Sequence, residues 1–327
     1  MKLIIQIPCF NEERTLPAVF REMPRSIPGI TSIEFQIIDD GSTDRTVEVA
    51  RELGVHHVVS AGCTNRRWLG RAFRLGVDNA LKAGADILVN TDGDNQYPST
   101  LIPDLVKPII EGTADIVIGD RNPGRVEEFS WIKQRLQVLG SSVIQYLTGA
   151  PVPDAVSGFR AYSRESLLKI HILTNFTYTV DTLIQAHMKG LDVAWLPIPI
   201  NPKTRESRLI KSLLNKVRRS GITILRMVTV YRPFQTFLGL MAVFLLPGLV
   251  LLGRFGYFYL FTPGEAAGHV QSVVVGGVLL IIAVQMFVLG ILAELLAANR
   301  ALIEDILMRL KRVEFKEEGK PKHCSSK

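Results

Sequence analysis

The sequence predicts an α/β protein with a doubly wound, mostly parallel sheet, followed by an amphipathic juxtamembrane helix and two transmembrane helices. Three features lead there. Short apolar, β-prone runs alternate with segments of helical period across residues 2–197. Several runs end in acidic turns, the position where a parallel sheet places its ligands. Residues 234–252 and 270–293 contain no charged side chain, and each stretch is long enough to cross a hydrocarbon core as a helix.

The elements follow in order. Residues 2–7 form a first strand that ends in Pro8-Cys9-Phe10-Asn11-Glu12-Glu13, and a helical pattern runs on to about Met23. Residues 35–38 form a second strand, ending in Asp39-Asp40-Gly41-Ser42-Thr43-Asp44. Ser42 or Thr43 is placed to cap a helix that reaches Leu53. A third strand covers 56–60, and residues 69–83 put Ala and Leu on a regular helical face. The run 86–90 reads as a buried strand and opens into Thr91-Asp92-Gly93-Asp94-Asn95-Gln96. A helix at 98–112 and a strand at 115–119 come next. Right-handed crossovers then bring the loops after Ile7, Ile38 and Asn90 to one edge of the sheet.

Residues 129–147 are helical in pattern, with Trp131, Leu136 and Val143 set against Lys133 and Arg135. Residues 154–160 form a loop entering a strand, 179–190 a helix and 192–197 a strand. Three prolines in 197–202 mark a rigid linker. The predicted organisation is an α/β domain over 1–203, a basic juxtamembrane helix over 204–232, two spans within 233–298 and a tail over 299–327. In the tail, residues 302–313 are expected to lie on the membrane surface as an amphipathic helix.

Composition narrows the function. Hydrophobic residues make up 47% of the chain, and mean hydropathy is +0.21, with the excess gathered after residue 233. The net charge of +7 comes largely from Lys and Arg on the two inner flanks of the spans, while 255–269 has neither. The positive-inside rule therefore places the α/β domain and both termini in the cytoplasm. Basic residues beside the spans, without interleaved aromatic stacking motifs, speak against nucleic acid. Cys9, Cys63 and Cys324 show no pairing pattern, which fits a reducing compartment, and the six histidines lack zinc-ligand spacing. The start of the chain has no signal-peptide pattern.

In extended chain, alternate residues point the same way, so Asp92, Asp94 and Gln96 can present three oxygens on one face. Hard oxygen ligands suit Mg²⁺ or Mn²⁺, with phosphate oxygens completing the shell. Gly93 lets an anion approach the backbone. Asp39 and Asp40 add carboxylates on the same edge for a ribose or base, whereas Asp44 reads as a charge at a helix start. Neither a Gly-x-Gly-x-x-Gly turn after the first strand nor a P-loop is present, which counts against a dinucleotide enzyme and an NTPase.

With these residues in view, the chain resembles the GT-A inverting family 2 glycosyltransferases, in the branch that holds dolichol-phosphate mannosyltransferase and the polyisoprenyl-phosphate glucosyltransferases. Pro8 to Glu12 and Asp39 to Asp44 resemble the family's two nucleotide loops, and Asp92 to Gln96 its metal motif. Gly119-Asp120-Arg121, Asp154 to Arg160 and Glu206-Ser207-Arg208 resemble its strand end, acceptor loop and phosphate loop. The resemblance covers essentially the whole chain.

That resemblance implies a GT-A fold and transfer of a hexose from a nucleotide-sugar, UDP-glucose or GDP-mannose leading, to a polyprenyl phosphate. It assigns Pro8, Phe10, Asn11, Glu12, Asp39 and Asp92 to the nucleotide, and Asp92, Asp94 and Gln96 to Mg²⁺ or Mn²⁺. Arg121, Arg135, Ser157, Arg160, Arg205, Ser207 and Arg208 become candidates for the donor diphosphate or the lipid phosphate. Asp154 is the candidate carboxylate near the acceptor, either a base or a group that orients Arg160; Asp154 and Arg121 are the two residues the resemblance implies as catalytic. Two rival functions are a processive polysaccharide synthase and a non-catalytic, membrane-anchored nucleotide-sugar binder. The first expects Gln-x-x-Arg-Trp after the metal motif, but Arg66-Arg67-Trp68 precedes it. The expected partners are nucleotide-sugar, polyprenyl phosphate and a bilayer; a homo-oligomer is left open.

Overall fold

The computed structural model describes residues 1–60, 69–93, 96–121, 142, 144–145, 149, 151–172, 178–199, 225–226, 228–262 and 266–317. The chain divides into two compact units, one made of Met1–Leu213 with Glu304–Lys327, the other of Leu214–Ile303.

The first unit is built on a seven-stranded sheet in the order β3-β2-β1-β4-β6-β5-β7. Its strands are β1 (Lys2–Cys9), β2 (Ser32–Asp39), β3 (His57–Ser60), β4 (Ile87–Asn90), β5 (Ile116–Asp120), β6 (Arg160–Ser163) and β7 (Val193–Pro197). Among the described residues, its helices include α1 (Leu16–Glu22), α2 (Thr46–Glu52), α3 (Leu69–Lys82), α4 (Ile102–Ile110), α5 (Arg164–Lys169) and α6 (Thr179–Met188). Strand order places β1 beside β2 and β4, all parallel, so the carboxyl ends of three strands open on one edge.

Period-two alternation sets the two faces of the sheet. Leu3, Ile5, Ile7, Phe35, Ile37, Ile87 and Val89 join one core cluster with Leu16, Phe20 and Leu105 of α1 and α4. Burial of this kind stabilises by about 25 cal/mol per Å² of apolar surface, and the sheet rests on it. The opposite face carries a polar row, because the register sets Gln36 beside Gln6, Gln6 beside Asn90, and Asn90 beside Arg160. All four are fully buried.

One strand departs from the expected parallel order. β6 pairs antiparallel with both β4 and β5. Its chain leaves the loop at 154–159 on the ligand edge, so it can enter the sheet only in the reverse direction. α5, which the sequence pattern does not announce, is six residues long and is capped by the Ser163 hydroxyl accepting from Ser166 N–H. α2 also begins differently from expectation. Asp44, rather than Ser42 or Thr43, accepts from the Thr46 N–H at 3.0 Å.

The second unit holds α7 (Pro233–Phe261), and α8 (Val270–Glu317) begins there; both are long and apolar enough to cross a membrane. Val243, Leu246 and Val250 on α7 and Ile281 and Val284 on α8 are exposed, a surface that suits lipid and not water. Residues 302–313, expected as a separate surface helix, are the continuation of α8. Residues from Glu304 onward belong to the first unit.

Candidate functional site

The ends of β1, β2 and β4 bring three carboxylates together. Glu12 lies in the loop after β1, Asp39 is the last residue of β2, and Asp92 stands two residues beyond β4. Glu12 and Asp39 are buried, and Asp92 is half-buried. A thiol records their common field. Burial, then Glu12, Asp39, Asp44 and Asp92 in that order, push the Cys9 pKa well up.

Glu12 and Asp39 are held locally. Thr15 donates to Glu12 Oε2 at 2.7 Å, and Ser42 N–H donates to Asp39 Oδ1 at 3.0 Å. Asn11 ties the first two loops together. Its φ of 56° lies in the left-handed region that Asn tolerates better than most residues. In that conformation its N–H donates to Ser42 Oγ at 3.0 Å, and its Oδ1 accepts from Thr43 N–H at 2.8 Å. Pro8 and Phe10 are half-buried beside it.

The loop entering β6 closes over Asp92. A Cβ on Gly158 would sit 3.1 Å from Asp92 Oδ1, so only glycine allows this approach without displacement. Gly158 N–H donates to the Tyr97 hydroxyl at 3.2 Å, and Gly158 O accepts from Asn90 Nδ2 at 3.0 Å. Asn90 also donates to the Tyr178 hydroxyl at 2.8 Å. Burial, followed by the Asp92 charge, pushes the Tyr97 pKa up to about 12 and raises that of Tyr178. Both phenols therefore stay protonated beside the carboxylate.

Arg121 follows β5 on the same edge and forms a two-pronged pair with Asp154. Nε lies 2.6 Å from Oδ2 and Nη2 lies 2.9 Å from Oδ1. Burial would lower the Arg121 pKa, but the hydrogen bonds it donates to Asp154 outweigh this and raise it. Asp154 is thus committed to Arg121, not to Arg160. Arg160 is fully buried, with its guanidinium on Ser157 O (2.7 Å), Thr179 O (2.7 Å), Thr182 Oγ1 (2.8 Å) and Ala155 O (2.9 Å). It stitches the 154–158 loop to α6 and faces protein, where the resemblance implied a phosphate. Ser157 is fully buried in the same loop.

Among the sequence-derived candidates, the structure brings together Glu12, Asp39 and Asp92, and pairs Arg121 with Asp154. Gln96 is half-buried near Asp92 in the chain. Asp94, Arg135, Arg205, Ser207 and Arg208 lie outside the described residues. Among the described residues, no three His, Cys, Asp or Glu side chains form a closed metal cage. The donor chemistry does fit a divalent cation. Asp92 and Gln96 offer hard oxygens in a site whose carboxylate field already disfavours a thiolate, and such a site favours Mg²⁺ or Mn²⁺ over softer metals. Tyr97, Tyr178 and Asn90 were not anticipated. The sequence signal for Asn90, shared with Gln6 and Gln36, is a lone polar residue inside an apolar strand run.

Comparison with known proteins agrees with this geometry. The family model described as Glycosyl transferase family 2 matches residues 4–170. A dolichyl-phosphate hexose transferase of Haloferax volcanii is 28% identical over 208 residues, covering 63% of this chain and 86% of that protein. A polyprenol monophosphomannose synthase of Mycolicibacterium smegmatis is 28% identical, covering 60% of this chain and 76% of that one. Among solved structures, glucosyl-3-phosphoglycerate synthase from Mycobacterium tuberculosis, in complex with Mn²⁺, UDP and glucosyl-3-phosphoglycerate, shares the fold. Its TM-score is 0.53 at 22% identity, over 70% of this chain and 78% of that one.

Proposed function

The chain belongs to glycosyl transferase family 2, and from that premise we propose that it moves a hexose from a nucleotide-sugar to a polyprenyl phosphate at the cytoplasmic membrane face. The observation that carries this is the set of three carboxylates at adjacent strand ends, with the Gly158 loop closed on Asp92. The names of the two relatives support a lipid phosphate as acceptor. Two helices of membrane-crossing length supply the anchor that such an acceptor requires.

Glu12 and Asp39 bind the ribose and base, and Asp92, Asp94 and Gln96 hold Mg²⁺ or Mn²⁺. When bound, the metal neutralises charge on the departing diphosphate. An acceptor phosphate oxygen attacks the anomeric carbon, the bond from that carbon to the diphosphate breaks, and nucleoside diphosphate leaves. In-line displacement inverts the centre, giving a β-linked sugar from an α-linked donor. The nucleophile is already an anion, so no strong base is required. Asp154 then serves to fix Arg121, which offsets the repulsion between two phosphate groups. The basic flanks of the spans support a cytoplasmic site.

The test is nucleoside diphosphate release by the full chain in liposomes. UDP-glucose and GDP-mannose are each offered with undecaprenyl or dolichyl phosphate. Release that requires a lipid phosphate and a divalent cation is expected; equal release without the lipid would remove the acceptor assignment.

A further inference from the structure

Within the first unit, residues 304–317 of α8 dock on α3, on α5 and on the segments that flank α5 and α6. Lys311 Nζ pairs with Asp78 of α3 at 2.9 Å, and Arg312 pairs with Glu165 of α5. Lys189 Nζ reaches Glu304 Oε2 at 2.9 Å, and His171 Nε2 lies 3.1 Å from Glu304 O. Phe315 is buried. A cavity of about 260 Å³ lies at this junction, lined by Phe73, Val77, Tyr162, Leu167, Leu307 and Lys311 among others.

α3 is bound to the Asp92 site by two routes. Phe73 stacks on Tyr178 with ring centroids 4.1 Å apart and planes 1° from parallel. The Tyr178 hydroxyl meets Asn90 at 2.8 Å and Gly158 O at 3.4 Å. The second route is a chain of amides along the polar row of the sheet. Asn79 of α3 donates to Gln36 Oε1 (2.6 Å), and Gln36 donates to Gln6 Oε1 (3.0 Å) and to Gly76 O (2.9 Å). Gln6 donates to Asn90 Oδ1 (3.0 Å), and Asn90 to Gly158 O (3.0 Å). A Cβ on Gly76 would overlap the Gln6 amide, so α3 sits directly on the row.

A buried amide chain is satisfied in one arrangement, and moving one end strands donors along it at a cost that neighbours share. Asp78, the partner of Lys311, adjoins Asn79 in α3. We propose that docking of residues 304–317 on α3 positions the Gly158 loop against Asp92, which makes this stretch a positioning element of the transfer site. The catalytic sense of the proposal rests on the transferase function above; the mechanical sense does not.

The experiment is hydrogen exchange in liposomes, comparing the full-length wild type, full-length Lys311→Glu/Arg312→Glu, and a chain ending at Ile303 in which the docking is removed outright. Exchange over 154–160 and 69–82 is expected to rise at least about threefold in both altered proteins, the factor a partly exposed ion pair supports. Restoring the pair with opposite signs, Asp78→Lys with Lys311→Asp, is expected to return exchange over 154–160 to the wild-type rate. In the transfer assay, kcat is expected to fall more than donor KM rises. Wild-type protection over 154–160 in the chain ending at Ile303 would overturn the inference. Absence of transfer in the wild type would instead count against the transferase function, and the exchange result would stand by itself.

Discussion

Replacing Asp154 with Asn keeps the side-chain shape and removes its charge. Asp154 is fully buried, Arg121 is 18% exposed, and the two meet through hydrogen bonds of 2.6 and 2.9 Å. Stripping one partner from a buried pair costs about 3–5 kcal/mol, since the other charge remains without compensation. Because Arg121 keeps some contact with water, the low end applies, about 3 kcal/mol. For a unit of this size, that lowers the melting temperature by roughly 6–12 °C. Replacing both partners with apolar groups, Arg121→Met/Asp154→Leu, is expected to recover most of the loss, within about 1 kcal/mol of wild type. Denaturation of the detergent-solubilised full chain measures both variants against the wild type. The transfer rate should fall to a similar low level in each, as the proposed cation is lost or misplaced. An Asp154→Asn variant within about 0.5 kcal/mol of wild type, or a double variant no more stable than Asp154→Asn, would refute the pairing argument.

Four further outcomes test the site and its surroundings. Gly158→Ala places a methyl 3.1 Å from Asp92 Oδ1 and should weaken donor binding roughly fivefold, the equivalent of about 1 kcal/mol of overpacking, measured by nucleotide titration; unchanged affinity would mean that the loop does not constrain Asp92. Asp39→Ala should weaken nucleotide affinity and leave lipid-phosphate affinity alone, whereas Asp94→Ala or chelation should abolish transfer with little change in melting temperature. Burial, then Lys189 and Lys311, lower the His171 pKa from 6.5 to about 4 against the pull of Glu304. The unfolded chain therefore takes up the proton first, so the stability that neutral His171 contributes to docking of 304–317 is fully present above about pH 6.5 and is lost as pH falls toward about 4. Hydrogen exchange of residues 304–317 across that range tests it, and pH-independent protection would contradict it.

Much of the fold was legible because alternation and punctuation agree. Runs such as Leu3 to Ile5 and Ile87 to Val89 are apolar on both sheet faces, as a covered parallel sheet demands. The direction of β6 was not legible, since strand polarity depends on which edge the preceding loop occupies and not on the four residues Arg160 to Ser163. The carboxylates of the site were legible from their place at strand ends. The partners of Asp154 and Arg160 were not, because an arginine in a motif looks the same whether it meets a phosphate or carbonyls at Ala155, Ser157 and Thr179. The polar row through Gln36, Gln6 and Asn90 left a trace in the sequence as amides inside strands, whose meaning appears only when the register aligns them. The continuous course of α8 beyond residue 302 was hidden by the change from apolar to amphipathic composition, which marks an environment and not a break in the helix.

The most direct test of single-hexose transfer to a polyprenyl phosphate is the mass of the lipid product. Full-length protein and its Asp92→Asn variant are incubated in liposomes with donor, divalent cation and polyprenyl phosphate, and the extracted lipid is weighed by mass spectrometry. A product heavier by one hexose, formed by the wild type and missing with Asp92→Asn, is the predicted result. A ladder of several hexoses, or one-hexose product at equal yield from both proteins, would contradict it.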